Sequence, residues 1–149
     1  MEPQAKDHSL ITQLRKCHLR ATGQRLAIMQ SLIESQSHLS AEDIYLRLKQ
    51  SHPTLSLSTV YKTLQVMSQM GAVITIETGT GSLKFDGNPS PHHHAVCSKC
   101  GMVHDVDFMK YPIDMNAKDV LPGFNVQSIK VFFNGVCAEC ARSATQSEG

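Results

Sequence analysis

The chain has 149 residues, 41% of them hydrophobic and only 5% aromatic, and a formal net charge of +1. That is enough for one ordinary domain or two very small ones whose cores need reinforcement. So small a net charge excludes a uniformly basic coat, residues 1–9 are too polar for a secretory signal, and no apolar run reaches membrane-spanning length, which points to a cytoplasmic protein with no membrane partner. The charge is uneven, with eight Lys or Arg against five Asp or Glu in residues 1–75 and six against eight in residues 76–149. A mildly basic front half and an acidic rear half suit a phosphate-facing module followed by one that binds cations.

The front half reads as helices. Cys17 falls in a predicted helix beside basic residues and is read as a buried or half-buried thiol. Thr22 can cap a segment in which Leu26, Met29, Leu32 and Ile33 recur at helical spacing, and Ser40-Ala-Glu-Asp43 has the form of a capping box ahead of Ile44 and Leu48. Ser37-His38-Leu39 is the loop between them. Pro53 argues against helix through Ser51 and His52, so a third helix starts near Ser56, carries Val60, Leu64 and Met67, and closes at Gly71. The period then changes: Val73 to Ile76, the turn Thr78-Gly-Thr-Gly81, and Ser82 to Phe85 predict a β-hairpin.

Three helices and a hairpin are the order of a winged helix, in which the third helix enters the DNA major groove and the hairpin follows the backbone. Ser58, Thr59, Tyr61, Lys62 and Thr63 are the polar positions around the apolar stripe of that third helix. They can donate to phosphates or bases, although by residue type alone an ordinary solvated surface is the favoured reading, and it is the helical order with the wing that shifts the weight toward DNA.

Asn88-Pro-Ser-Pro91 marks a linker over residues 88–91, dividing residues 1–87 from residues 92–149. Beyond it the pattern predicts a strand through His94, Ala95 and Val96, and a second through Met102, Val103 and His104. A short helix from Met115 to Leu121 and a strand from Val126 to Phe133, with Ile129, Val131 and Phe133 alternating, follow. The polar tail from Ser143 to Gly149 is expected to be disordered. The fold class is therefore α+β, a winged helix followed by a small α/β unit whose apolar strand faces favour pairing with a second copy.

Cys97-Ser-Lys-Cys100 and Cys137-Ala-Glu-Cys140 carry the plainest chemistry. A two-residue spacer lets both sulfurs of a pair reach one ion, so four thiolates in two knuckles make a tetrahedral zinc site. In a reducing compartment metal binding outranks disulfides. The run His92-His93-His94 is surplus to that site and implies a second ion with nitrogen and oxygen ligands. His92 and His94, two apart on a strand, share a face, while His93 points away.

The combination of Thr22-Gly-Gln-Arg25, Ser58-Thr-Val-Tyr61-Lys-Thr-Leu64, His92-His-His94-Ala-Val-Cys97-Ser-Lys-Cys100-Gly101 and Cys137-Ala-Glu-Cys140 resembles the ferric uptake regulator family of bacterial metal-dependent repressors. The resemblance spans nearly the whole chain. It implies a homodimer on double-stranded operator DNA, with the C-terminal units forming the interface. It also implies a regulatory Fe(II) or Mn(II) ion held by His38, Asp86, His92, His94 and Asp105, apart from the structural zinc of Cys97, Cys100, Cys137 and Cys140. Aspartate at position 105 is the choice of the family's peroxide-sensing branch, whose members lose repression when His38 or His92 is oxidised at the iron site. An iron, manganese or zinc uptake regulator with the same ligands is the alternative. An enzyme is not expected, since no HExxH, phosphate loop or serine elbow accompanies the cluster.

Overall fold

The computed structural model describes residues 3–35, 37–88, 90, 92–112, 121–126 and 129–146. The chain divides into two compact units, Met1–Pro89 and Ser90–Gly149.

The first unit contains α1 (Pro3–Lys16), α2 (Gly23–Glu34), α3 (Ala41–Leu48) and α4 (Leu57–Gln69), then the strands β1 (Ile74–Glu77) and β2 (Leu83–Asp86). Three of the helix starts are those the sequence specifies. The Thr22, Ser40 and Ser56 side chains each accept from the backbone N–H three residues on, and Ser40 with Asp43 completes a reciprocal capping box. Gly71, at φ +73°, ends α4 with the N–H of Ala72 donating to the carbonyl of Met67, the left-handed closure that glycine adopts without strain.

α1, the helix expected around Cys17, precedes the three of the winged-helix order and ends one residue before that cysteine. Proline in its first turn, Arg15 and Lys16 in its last, and Leu10, Leu14 and Cys17 at spacings of four and three are its signals. Its end is hidden in the sequence because the left-handed position is His18, at φ +56°, rather than a glycine, with the N–H of Leu19 donating to the carbonyl of Leu14. Cys17 thus follows the helix, and burial there pushes its thiol pKa up.

Leu14, Ile28, Ile44, Val60, Leu64 and Met67 meet in one core, which Phe85 joins from the hairpin. β1 and β2 pair antiparallel with Ile74 opposite Asp86, so the two glycine-containing turn positions lie at one end and Asp86 at the other. The unit is a winged helix with an extra N-terminal helix.

The second unit is built on β3 (His93–Cys97), β4 (Val103–Val106), β5 (Phe132–Gly135) and α5 (Ala138–Gln146). β3 is central in the order β4-β3-β5, antiparallel to β4 and parallel to β5. The last strand starts at Phe132 rather than Val126, because its extent is fixed by pairing with β3, which an alternation of apolar residues cannot report; residues 127–128 lie outside the described set. The tail expected to be disordered from Ser143 is helical through Gln146, as α5 continues directly from the second knuckle. The helix expected from Met115 to Leu121 falls outside the described residues except for Leu121, which is not helical. Among the described residues no helix is long and apolar enough to cross a membrane.

Candidate metal centres and nucleic-acid face

Parallel pairing of β3 with β5 is what creates the thiolate site. Parallel strands point the same way, so the residues that follow them emerge at one end of the sheet. Cys97 is level with Gly135, and Cys137 comes two residues later. The backbone N–H of Ser98 donates to the carbonyl of Gly135 at 2.8 Å, locking the two knuckles together. Gly101, at φ +71°, lets the first knuckle turn back into β4.

The sulfurs of Cys97, Cys100, Cys137 and Cys140 all lie within 4.8 Å of one another, and those of Cys100 and Cys137 are 3.8 Å apart. A zinc tetrahedron with Zn–S bonds of about 2.3 Å has edges of about 3.8 Å, so the donor set fits zinc. The thiols are not equivalent. Backbone N–H groups of Cys100 and Cys137 bring Cys97 down to about 6, the latter donating to its sulfur at 3.3 Å, whereas hydrogen bonding with Cys137 and Cys100 pushes Cys140 up to about 12. The quartet forms a closed structural site of four thiolates.

The nitrogen and oxygen donors fall into two sets, one in each unit. In the first, the N–H of Phe85 donates to the carbonyl of Leu39 at 2.8 Å, forming an antiparallel bridge between the loop before α3 and the wing strand. This brings His38 Nε2 to 4.0 Å from Asp86 Oδ1, with both side chains buried at 8% and 6% exposure. Asp86 Oδ1 also accepts the N–H of Asn88 at 2.8 Å, which orients the carboxylate.

In the second unit His92 lies just before β3 and His94 within it, their ring centroids 4.5 Å apart on one face of the sheet. His94 is level with Asp105 on β4, and Asp105 Oδ1 lies 3.4 Å from His92 Nε2. Phe132 stacks on His94 at 5.4 Å, while His92 Nδ1 is 2.6 Å from the carbonyl of Ser90 and Nε2 is turned toward Asp105. His93 takes the opposite face against Phe108 and Phe133. Imidazoles and carboxylates without thiolate suit Fe(II) or Mn(II).

The polar residues of α4 sort less evenly. Ser58, Tyr61 and Lys62 are exposed, and Thr59 is half-buried with its hydroxyl 2.8 Å from that of Ser56. Thr63 faces inward at 2% exposure and does not belong to the outward set. Its place in the helical turn is one residue before Leu64, which is also buried, so it lies on the edge of the stripe that packs on the core. Glu42 and Asp43 are the partners of α4 and the wing strand: Glu42 accepts a hydrogen bond from the Tyr61 hydroxyl at 2.6 Å and Asp43 binds Lys84 at 2.9 Å. Both were legible only as parts of a helix cap.

A winged helix followed by an α/β unit with a four-cysteine centre and separate His/Asp donors defines a metal-binding regulator of transcription. The model of the ferric uptake regulator family matches residues 16–134. The peroxide-responsive repressor PerR of Staphylococcus epidermidis is 36% identical over 142 residues, covering 93% of this chain and 95% of that protein. Among solved structures, the Pseudomonas aeruginosa ferric uptake regulator with manganese gives a TM-score of 0.69 at 27% identity, covering 87% of this chain and 98% of that one. The Campylobacter jejuni peroxide stress regulator gives a TM-score of 0.65 at 27% identity, covering 94% of this chain and all (100%) of that one. The chain belongs to the ferric uptake regulator family, whose members are DNA-binding, dimeric regulators of transcription.

Proposed function

We propose that the protein is a cytoplasmic, homodimeric repressor that binds operator DNA when loaded with Fe(II) or Mn(II), and that it senses hydrogen peroxide to control peroxide-defence genes. The observation that carries this reading is the pair of donor sets, His38 with Asp86 and His92 with His94 and Asp105, each assembled within its own unit from thiolate-free ligands. One ion taking ligands from both sets ties the DNA-binding unit to the second unit.

The switch is then a two-state equilibrium. The five side chains share a ligand only in a closed arrangement, and that arrangement presents the wings of a dimer to successive major grooves. A coupling of a few kcal/mol is enough to move DNA binding by orders of magnitude. Fe(II) held by these residues would catalyse transfer of one peroxide oxygen to a ring carbon of His38 or His92: the O–O bond breaks, the imidazole is the two-electron reductant, and the second oxygen leaves as water. A modified imidazole no longer serves as a donor, the units separate, and repression ends. Aspartate at position 105 and the 36% identity to a peroxide-responsive repressor support this branch over a metal-uptake regulator. Dimer formation is supported by the exposed edge strand β5, with Phe132, Phe133 and the following Val136 all exposed.

The test has two steps. Gel shifts of promoter fragments with and without Mn(II) establish metal-dependent retention, and the Fe(II) protein is then treated with peroxide and digested. A gain of one oxygen on peptides holding His38 or His92, with loss of DNA binding, is expected. Unmodified peptides with DNA binding retained would make the protein an uptake regulator instead.

A further inference from the structure

Tyr61 is 40% exposed on α4, yet its hydroxyl is not left to solvent: it donates to Glu42 Oε1 at 2.6 Å. Glu42 is itself held, because it sits in the first turn of α3 beside the Ser40–Asp43 capping box, and Asp43 is bound to Lys84 of the wing at 2.9 Å. The pair is mutually tuned, the phenol pKa raised by its bond to Glu42 and the Glu42 carboxyl lowered by its bond to Tyr61. A carboxylate beside the exposed Ser58 and Lys62 face weakens the attraction of phosphates. Its presence there therefore calls for a role other than affinity.

We propose that Glu42 is a positioning residue for sequence recognition, acting through Tyr61; this rests on the DNA-binding reading above. With its proton committed to Glu42, the Tyr61 oxygen approaches DNA only as an acceptor and with its ring. It is then unable to donate to a phosphate or to guanine O6 or N7. What it can meet is the amino group of adenine or cytosine, or the thymine methyl group, all of which lie in the major groove. Glu42 thus converts a generic phenol donor into a base-edge reader, fixed in place by an anchored helix turn, at some loss of non-specific affinity.

The experiment uses the full-length protein loaded with Mn(II). Duplexes are first selected from a random pool by the wild type, and affinities are then measured for a selected duplex and for a poly(dI-dC) competitor. Glu42→Ala is expected to lower the ratio of the two affinities about tenfold, the scale of one base-edge contact, while competitor binding stays equal or tightens. Tyr61→Phe is expected to lower the ratio similarly, and the double variant to add little further. Glu42→Gln, whose amide oxygen still accepts from Tyr61, is expected to restore most of the preference. Melting temperature and Mn(II) affinity serve as controls for a purely structural effect. A Glu42→Ala protein with an unchanged ratio, or one that binds both duplexes equally more weakly, overturns the proposal. A wild type that selects no duplex overturns the DNA-binding reading, and the proposal with it.

Discussion

Leu39 and Phe85 are joined by a single backbone hydrogen bond of 2.8 Å, and that bond makes the loop before α3 an extra edge of the wing. Its neighbours on either side are the two ligand candidates: His38 precedes Leu39 and Asp86 follows Phe85. Four residues further along the same loop and helix, Asp43 reaches Lys84 of the same strand. An ion held by His38 and Asp86, as proposed, would therefore act next to the wing strand and to the loop that leads into Glu42, the partner of Tyr61 on α4.

Replacing either ligand should separate metal binding from folding. His38→Ala and Asp86→Asn are each expected to weaken Mn(II) binding on the order of 100-fold, since even groups that only orient a ligand are worth about 10–100-fold. Metal-free melting temperature should stay close to that of the wild type. Titration calorimetry with Mn(II), alongside a thermal scan, checks both.

The thiolate site should behave in the opposite way. Cys97→Ser or Cys140→Ser removes one of the four clustered sulfurs that fit zinc, and binding of a structural zinc is coupled to folding. A loss of at least about 3 kcal/mol is expected, lowering the melting temperature by roughly 10 °C, together with loss of zinc by elemental analysis. Peroxide at levels that modify the histidines is expected to leave wild-type zinc content unchanged.

Burial of Thr63 and exposure of Lys62, adjacent on α4, give a sharp contrast. Lys62→Ala should weaken binding to all duplexes and reduce the salt dependence of log K by about one unit of slope. Thr63→Val should leave DNA affinity within about twofold of wild type, its cost appearing in stability, because the side chain meets the core and not the groove. Fluorescence anisotropy over a salt series measures both.

Acid should loosen the wing. Burial alone would raise Asp43, but the N–H and hydroxyl of Ser40 and the Lys84 ammonium outweigh it and bring the carboxyl from 3.8 down to about 2. The folded-state value is the lower one, so the stabilisation is complete above pH 4 and is lost as pH falls toward 2. Asp43 is 42% exposed, so solvent screening reduces the effect to the order of 1 kcal/mol. Asp43→Asn should flatten that part of the stability profile, as followed by circular dichroism.

The local chemistry of the fold was legible because it is written in short range. Thr22, Ser40 and Ser56 start helices and Gly71 ends one, each through bonds to residues three to five positions away. The CxxC spacing likewise holds its own geometry. What the sequence concealed depends on distant partners or on unusual residues. His18 in a left-handed position masks the end of α1, β5 takes its limits from β3, and Thr63 looks polar until the packing of α4 is known. The proximity of His38 to Asp86 follows from a bridge between residues 46 positions apart, Leu39 and Phe85, which no local pattern encodes.

A crystal of the full-length protein grown with Mn(II), and diffraction recorded at the manganese edge, bears most directly on the metal-bridged switch. The expected result is one manganese peak, distinct from the zinc, within about 2.0–2.4 Å of His38 and Asp86 and also of His92, His94 and Asp105. A peak bound by residues of one unit alone, or none beside these five side chains, would contradict it.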